Sequence, residues 1–414
     1  MHRLLIYWDE LSWVCEIMHN DTITAPAGFK AGAAACGIKQ VNKLDIAVLV
    51  ADDICPAAAM FTSNRFCGAP VIVGREHTRR GRLRALVVNS GCSNVATGKR
   101  GIADARAMCR RLAESIGAKP IEVLPSSTGV IGRFLPMDKI LPGIDAALET
   151  LSASAEAGER FAQAIMTTDT RMKQACERVR IGRTLITVAG CCKGSGMIAP
   201  NMATMLAFLT TDAGVPPAVL KRLLKEAVAP TFNRVTVDEC QSTSDTVAIM
   251  ASGAAGDLNT RQTASFSKAL RAVCESLAHQ IVRDGEGATK VLEVIVRGAK
   301  SPADAHAVAR AVAVSPLVKT AVHGGDPNWG RIVQAIGATS VTFRPEKVTV
   351  RLGKDLLFAK GAPAPRLDLV KLAEAMRQPH VSLMIDLGAG KAADRVLTCD
   401  LSREYIAINA DYTT

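Results

Sequence analysis

Runs with helical periodicity alternate along this chain with short β-branched runs, which excludes both an all-helical and an all-strand fold. Met108, Leu112 and Ile116 recur at i, i+4 and i+8 between Ala103 and Gly117, predicting a helix that the glycine closes. Pro216 and Pro217 open a second helix with Leu220, Leu223 and Ala227 on one face. Phe266, Leu270, Val273, Leu277 and Ile281 mark a third, ended by Asp284-Gly285. Strands are expected at Ala85–Asn89, Leu185–Ala189, Met205–Leu209, Val291–Arg297, Val348–Leu352 and Ser382–Leu387. Polar residues at alternate positions in the last two suit a sheet covered on one face. Aromatics are scarce, 4% against 48% hydrophobic residues, so the core is built of small and branched side chains. The expected class is mixed α/β, and 414 residues suffice for one large domain or two to three lobes. No short repeat or heptad seam is present.

Several function classes are weakened by what the chain lacks. There is no G-x-S-x-G elbow, no H-E-x-x-H, no phosphate-binding G-x-x-x-x-G-K-[ST], and the seven His never fall in metal-ligand spacing, so no metal site is expected. The net charge of +11 fits a nucleic-acid binder, but equally an enzyme whose substrates carry carboxylates. The densest basic run, Arg75–Arg84 (REHTRRGRLR), has no interleaved aromatic for stacking on bases and reads as a solvated surface loop. Twelve cysteines are spread without a C-x-x-C pair, and Cys191-Cys192 are adjacent; reduced thiols in a cytoplasmic protein are expected. No apolar run approaches the roughly 20 residues that span a bilayer. The first 17 residues hold two of the three Trp and read as an appendage, with Met18 the natural start.

Two stretches carry chemistry. In Lys193–Asp212 (KGSGMIAPNMATMLAFLTTD) a lysine in a glycine-flexible loop is followed by Ala203, Thr204 and a strand. A threonine there can attack the preceding carbonyl and afterwards use its own α-amine, of pKa about 8, as base. It can also simply cap or pair at a strand start. In Pro125–Gly132 (PSSTGVIG) the Thr128 hydroxyl and the Gly129 N–H can donate to an oxyanion, or the segment is an ordinary Ser/Thr-rich turn.

Longer blocks discriminate further. TAPAGFKAG (Thr24–Gly32), IMTTDT (Ile165–Thr170), KGSGMIAPNMATML (Lys193–Leu206), TFNRVTVD (Thr231–Asp238), RDGEGATK (Arg283–Lys290), VKTAVHGGDPNWGRI (Val318–Ile332) and INADYTT (Ile408–Thr414) resemble, in order, those of the ornithine acetyltransferase (glutamate N-acetyltransferase) family. The chain departs from it at Cys92 and Ser93, at Ala96, after Asp238 (ECQSTSD) and at His323-Gly324-Gly325.

The resemblance implies an α/β fold of sheets sandwiched between helical layers, like that of self-processing aminopeptidases. It implies autoproteolysis between Ala203 and Thr204, giving chains 24–203 and 204–414 that stay associated, usually as α2β2, with residues 1–23 an extension outside the fold. The implied reaction moves an acetyl group from N2-acetylornithine to glutamate in arginine biosynthesis; some members also accept acetyl-CoA, and no cofactor is implied. Carried over by position, Thr204 is the nucleophile. Thr128 and Gly129 form the oxyanion hole, and Thr170, Lys193, Thr204, Glu286, Asn409 and Thr414 bind substrate. The rivals are a hydrolase of the same fold that passes the acyl group to water, and a nucleic-acid-binding protein with a dead enzyme fold. Transfer to glutamate separates the first, salt-sensitive DNA binding the second.

Overall fold

A computed structural model describes residues 22–40, 42–181, 184–199 and 205–411; Met18, Ala203, Thr204 and Thr414 lie outside them. The larger sheet contains β1 (Phe29–Ala34), β2 (Ile46–Phe61), β3 (Arg82–Cys92), β4 (Val123–Val130), β5 (Lys173–Ile181), β6 (Thr184–Lys193), β7 (Leu206–Thr211) and β8 (Thr246–Ala251). Its order is β4-β3-β2-β8-β7-β6-β5, with β1 beside β2. The smaller sheet contains β9 (Val291–Ala299), β10 (Thr349–Leu352), β11 (Asp355–Ala359), β12 (Ala362–Pro363), β13 (His380–Asp386) and β14 (Ala392–Cys399), in the order β12-β11-β10-β13-β9-β14.

Successive residues of β2 feed opposite faces of the larger sheet, as the strand period demands. Ala47, Leu49 and Ala51 join Leu86, Val88 and Phe208 on one face, where Phe161 of α4 (Ala155–Ala164) packs edge-on against Phe208. Ile46, Val48 and Val50 face α2 (Gly98–Ile116) and α3 (Met137–Glu149), near α1 (Ala69–His77). On that same side, β6, β7 and β8 are covered by α5 (Pro217–Val228) and α6 (Thr260–Arg283). The smaller sheet packs one face on α7 (Pro302–Val314), α8 (Pro316–Gly324), α9 (Trp329–Gly337) and α10 (Leu369–Met376); β13 accordingly alternates buried and less buried residues. The chain closes with α11 (Arg403–Asp411). The mixed α/β class expected from periodicity is the one found, with the helices layered on the sheets as the resemblance implies.

Local chemistry sets the helix ends. Gly117 follows α2 at φ +66°, a left-handed conformation that costs glycine nothing. The Asn259 carboxamide accepts from Gln262 N and the Gln262 side chain reaches back to Asn259 N, a reciprocal cap that starts α6. Two expectations need correction. Arg75–Arg84 is the last turn of α1, a tight turn through Gly81 and the start of β3, because His77 and Leu83 are buried within it. And the fold extends before residue 24: Thr22 and Ile23 are buried, and the Thr210 hydroxyl donates to the Ile23 carbonyl. All eleven described cysteines are free thiols.

Candidate active site

The site lies where strand ends and two turns converge. β3 and β4 run parallel and in register, Asn89 opposite Ser127, Ser90 opposite Thr128 and Gly91 opposite Gly129. Their ends are pinned: the Ser127 hydroxyl donates to Asn89 Oδ1 at 2.5 Å, and Asn89 Nδ2 donates to the Cys92 carbonyl at 2.8 Å. Gly129 adopts φ +126°, and a Cβ there would fall 2.4 Å from the Gly91 carbonyl carbon and 2.6 Å from Cys92 N. Only glycine lets the two strand ends approach this closely. Thr128, beside it, is buried. The divergent Cys92 and Ser93 tie the same region together, their side chains donating to the carbonyls of Arg133 and Val130.

The segment Thr167–Thr170 forms a second wall. Asp284, just past α6, accepts from both the backbone N–H and the hydroxyl of Thr170. The Lys173 ammonium is buried between Asp169 Oδ1, at 2.6 Å, and Asp284 Oδ2, at 2.5 Å. Asp169 also accepts from the N–H groups of Thr167, at 2.9 Å, and Gly194, at 2.6 Å. Burial alone would raise the Asp169 carboxyl; the Lys173 and Lys193 ammoniums outweigh it and hold it at about 2. Burial likewise opposes the Lys173 charge, yet Asp169 and Asp284 keep its pKa above the ordinary value. These opposed charges fix the turn that follows Lys193.

Lys193 ends β6 and is buried. Burial lowers its pKa, although Asp169, Asp245 and Glu286 pull the other way. Glu286 sits on a turn whose N–H donates to the Ser195 carbonyl at 2.9 Å. Its carboxylate lies against Gly196, where a Cβ would be 2.3 Å from an oxygen. Gly287, at φ +67°, lets the turn meet α11: the Ser402 hydroxyl donates to the Gly287 carbonyl at 2.6 Å. Asn409 of α11 thereby reaches Glu286, its Nδ2 donating to Oε2 at 3.0 Å.

A cleft of about 1870 Å³ runs through these elements, lined among others by Gly129, Thr168, Thr170 and Glu286. Glu286 and the hydroxyl residues Thr168 and Thr170 line this cleft, and the buried Lys193 ammonium and the Asn409 amide adjoin Glu286, an array that complements a substrate bearing both an amine and a carboxylate. Of the residues expected from the sequence, Thr170, Lys193, Glu286, Asn409, Thr128 and Gly129 are thus found around this one region, while Ala203, Thr204 and Thr414 fall outside the described residues. Sequence reasoning missed Asp169, Lys173, Asp284 and the Thr168–Ser195 hydroxyl pair, 2.7 Å apart. Asp169 and Asp284 stand inside the blocks quoted above, so a signal existed; their pairing through Lys173, 111 residues from Asp284, left none. Among the described residues no group of His, Cys, Asp and Glu could hold a metal ion, and no helix is long and apolar enough to cross a membrane.

Comparison with known proteins gives a consistent result. The ArgJ family model matches residues 30–414. Over 405 residues the chain is 45% identical to the arginine biosynthesis bifunctional protein ArgJ of Dehalococcoides mccartyi, spanning 96% of this chain and 99% of that one. It is 44% identical over 393 residues to the protein of the same name from Methylococcus capsulatus, spanning 94% and 96%. A solved structure of the arginine biosynthesis bifunctional protein argJ from Bacillus halodurans is 40% identical and aligns with a TM-score of 0.49, covering 50% of this chain and 100% of that chain.

Proposed function

The chain belongs to the ArgJ family, and we propose that it moves an acetyl group from N2-acetylornithine to L-glutamate through an acetyl ester on Thr204, in arginine biosynthesis. The observation that carries this reading is the convergence of Lys193, Glu286, Thr170 and Asn409 beside the strand that Thr204 precedes.

Cleavage between Ala203 and Thr204 frees the α-amine of Thr204. That amine takes the hydroxyl proton as Thr204 Oγ1 attacks the acetyl carbonyl carbon of acetylornithine. The oxyanion forms against the Thr128 hydroxyl and the Gly129 N–H, groups held by the rigid ends of β3 and β4 rather than by a mobile loop. Collapse breaks the C–N bond; the ornithine nitrogen takes the proton and departs, and the acetyl group stays on Oγ1. The glutamate amine then attacks the ester carbonyl carbon, and acetylglutamate leaves as Thr204 regains its proton. Lys193 and Glu286 orient the carboxylate and amine that both substrates share. No cofactor is needed beyond the acyl donor, and acetyl-CoA serves as a second donor. The two chains remain associated as α2β2 in the cytoplasm.

The test offers acetylornithine and acetyl-CoA separately to glutamate and follows acetylglutamate, while mass spectrometry follows the chain. Two fragments, the second beginning TMLAF, with transfer abolished and the chain intact in Thr204→Ala, are expected. An intact wild-type chain that transfers acetyl, or release of acetate whether or not glutamate is present, overturns the reading.

A further inference from the structure

Between β1 and β2 one side chain, that of Lys39, lines the cleft and reaches both of its walls. Its backbone is held first. The buried Asp45 carboxylate accepts from Cys36 N at 2.7 Å, Ile38 N at 2.7 Å and Lys39 N at 3.1 Å. Asp45 is itself tied to the end of β3, its carbonyl accepting from Ser90 N at 2.9 Å. The Lys39 stem lies over Gly91, where a Cβ would fall 3.1 Å from Lys39 Cγ, and Gly91 in turn meets Gly129. At the far end Nζ donates to the carbonyls of Met166 at 2.6 Å, Leu44 at 3.0 Å and Ala164 at 3.2 Å. Ala164 closes α4, whose last turn carries no basic residue. The final carbonyls of a helix have no helical partner and sit at its negative end. Lys39 brings both a donor and a cation to them, and the Ser90 hydroxyl donates to the same Ala164 carbonyl at 2.5 Å.

We propose that Lys39 is the positioning residue that sets the separation of the two walls: its stem rests on the strand end that meets Gly129, and its ammonium holds the backbone that leads into Thr167–Thr170. The charged form is the working form. An ammonium offers three N–H groups to the three carbonyl oxygens, whereas a neutral amine offers two and turns its lone pair on the third oxygen. Burial lowers the Lys39 pKa to about 8; Asp45 and Asp169 oppose the shift, while Lys193 and Lys43 add to it. The proton is therefore lost as pH rises through about 8, and the wall that carries Thr170 loosens on the alkaline side. Lys39 forms and breaks no covalent bond in this role.

The kinetic arm of the test rests on the acetyltransferase reading, and a second arm does not. Lys39→Met is expected to lower kcat/KM for acetylornithine about 10²-fold, the effect of groups misplaced by about an ångström, while thermal unfolding stays within a few degrees of wild type. Wild-type kcat/KM is expected to fall as pH rises through about 8. Lys39→Arg, whose guanidinium stays charged, is expected to keep about a tenth of wild-type kcat/KM or more and to lose that alkaline limb. Hydrogen exchange read by mass spectrometry follows the same anchor without substrate: peptides over residues 164–171 exchange faster in Lys39→Met than in wild type, and those of β4 do not. Wild-type kcat/KM in Lys39→Met, no recovery or a persisting limb near pH 8 in Lys39→Arg, or unchanged exchange over 164–171 overturns the proposal. A wild type that transfers no acetyl group, with faster exchange in Lys39→Met, overturns the acetyltransferase reading and keeps the anchor. Should Lys39→Met not fold, the pH profiles of wild type and Lys39→Arg decide.

Discussion

Asn409 Nδ2 donates to Glu286 Oε2 at 3.0 Å, tying the last helix to a turn 123 residues earlier in the chain. Asn409 is exposed, so its worth lies in orienting that carboxylate rather than in stability. Asn409→Ala is expected to raise KM for acetylornithine about tenfold, the loss of one hydrogen bond to a charged group, with kcat within a factor of two. Steady-state kinetics in both substrates check this; an unchanged KM detaches α11 from the site.

In the proposed mechanism Thr128 donates to a charge that exists only in the transition state. Thr128→Ala should lower kcat about 10²–10³-fold with little change in KM. Because the proposed self-cleavage passes through a similar oxyanion, the mass-spectrometric time course of processing should slow as well. Unchanged kcat and processing would take Thr128 out of the site.

Lys173 is the sole described ammonium hydrogen-bonded to both Asp169 and Asp284. Replacing it by methionine leaves two buried carboxylates without their cation, a loss of about 3–5 kcal/mol by analogy with broken buried ion pairs. Denaturant unfolding of Lys173→Met measures it. Joint replacement Lys173→Met with Asp284→Asn should recover part of the loss, since a neutral amide still accepts from Thr170.

His279 predicts a pH dependence. Burial, then His380 and Arg283, lower its pKa from 6.5 to about 4. Above pH 6.5 folded and unfolded states both carry neutral imidazole, so the group has no effect. Between about 6.5 and 4 the unfolded chain binds a proton that the fold refuses, and stability falls with pH; below about 4 the slope ends. Burial lowers His380 too, which acts in the same direction. The melting temperature should therefore drop between pH 7 and 5, less steeply in His279→Gln. A variant with the wild-type slope would refute the assignment.

Local signals were legible where one segment sufficed. Gly117 beyond α2, Pro216-Pro217 before α5 and Asp284-Gly285 beyond α6 fall at helix ends, because caps act within a turn. The expected strands all correspond to observed ones, shifted by a few residues, and β10 and β13 show the one-sided burial their alternation predicted. The basic run escaped, since two buried residues, His77 and Leu83, decide its structure and seven polar neighbours mask them. Through its blocks the sequence named six described residues that the structure gathers into one region, Thr128, Gly129, Thr170, Lys193, Glu286 and Asn409, but not the electrostatics around them. That Lys193 shares Asp169 with Lys173, or that Asp245 meets Met205, is set by strands paired across long sequence distances.

The order of the larger sheet has a kinetic consequence. β7 and β8, which follow residue 204, are inserted between β2 and β6, which precede it. Before a cut at Ala203–Thr204, folding is unimolecular and the sheet zips within one chain. After it, the same ladder spans two molecules on both flanks of the inserted pair. Fragments so interleaved cannot part by dilution, because separation requires unfolding both seams at once; yet once denatured, they must find each other. Recovery of the cut protein should thus depend on protein concentration, whereas recovery of the uncut Thr204→Ala chain should not. Maturation would make assembly a one-way event, with the history of the chain stored in the sheet.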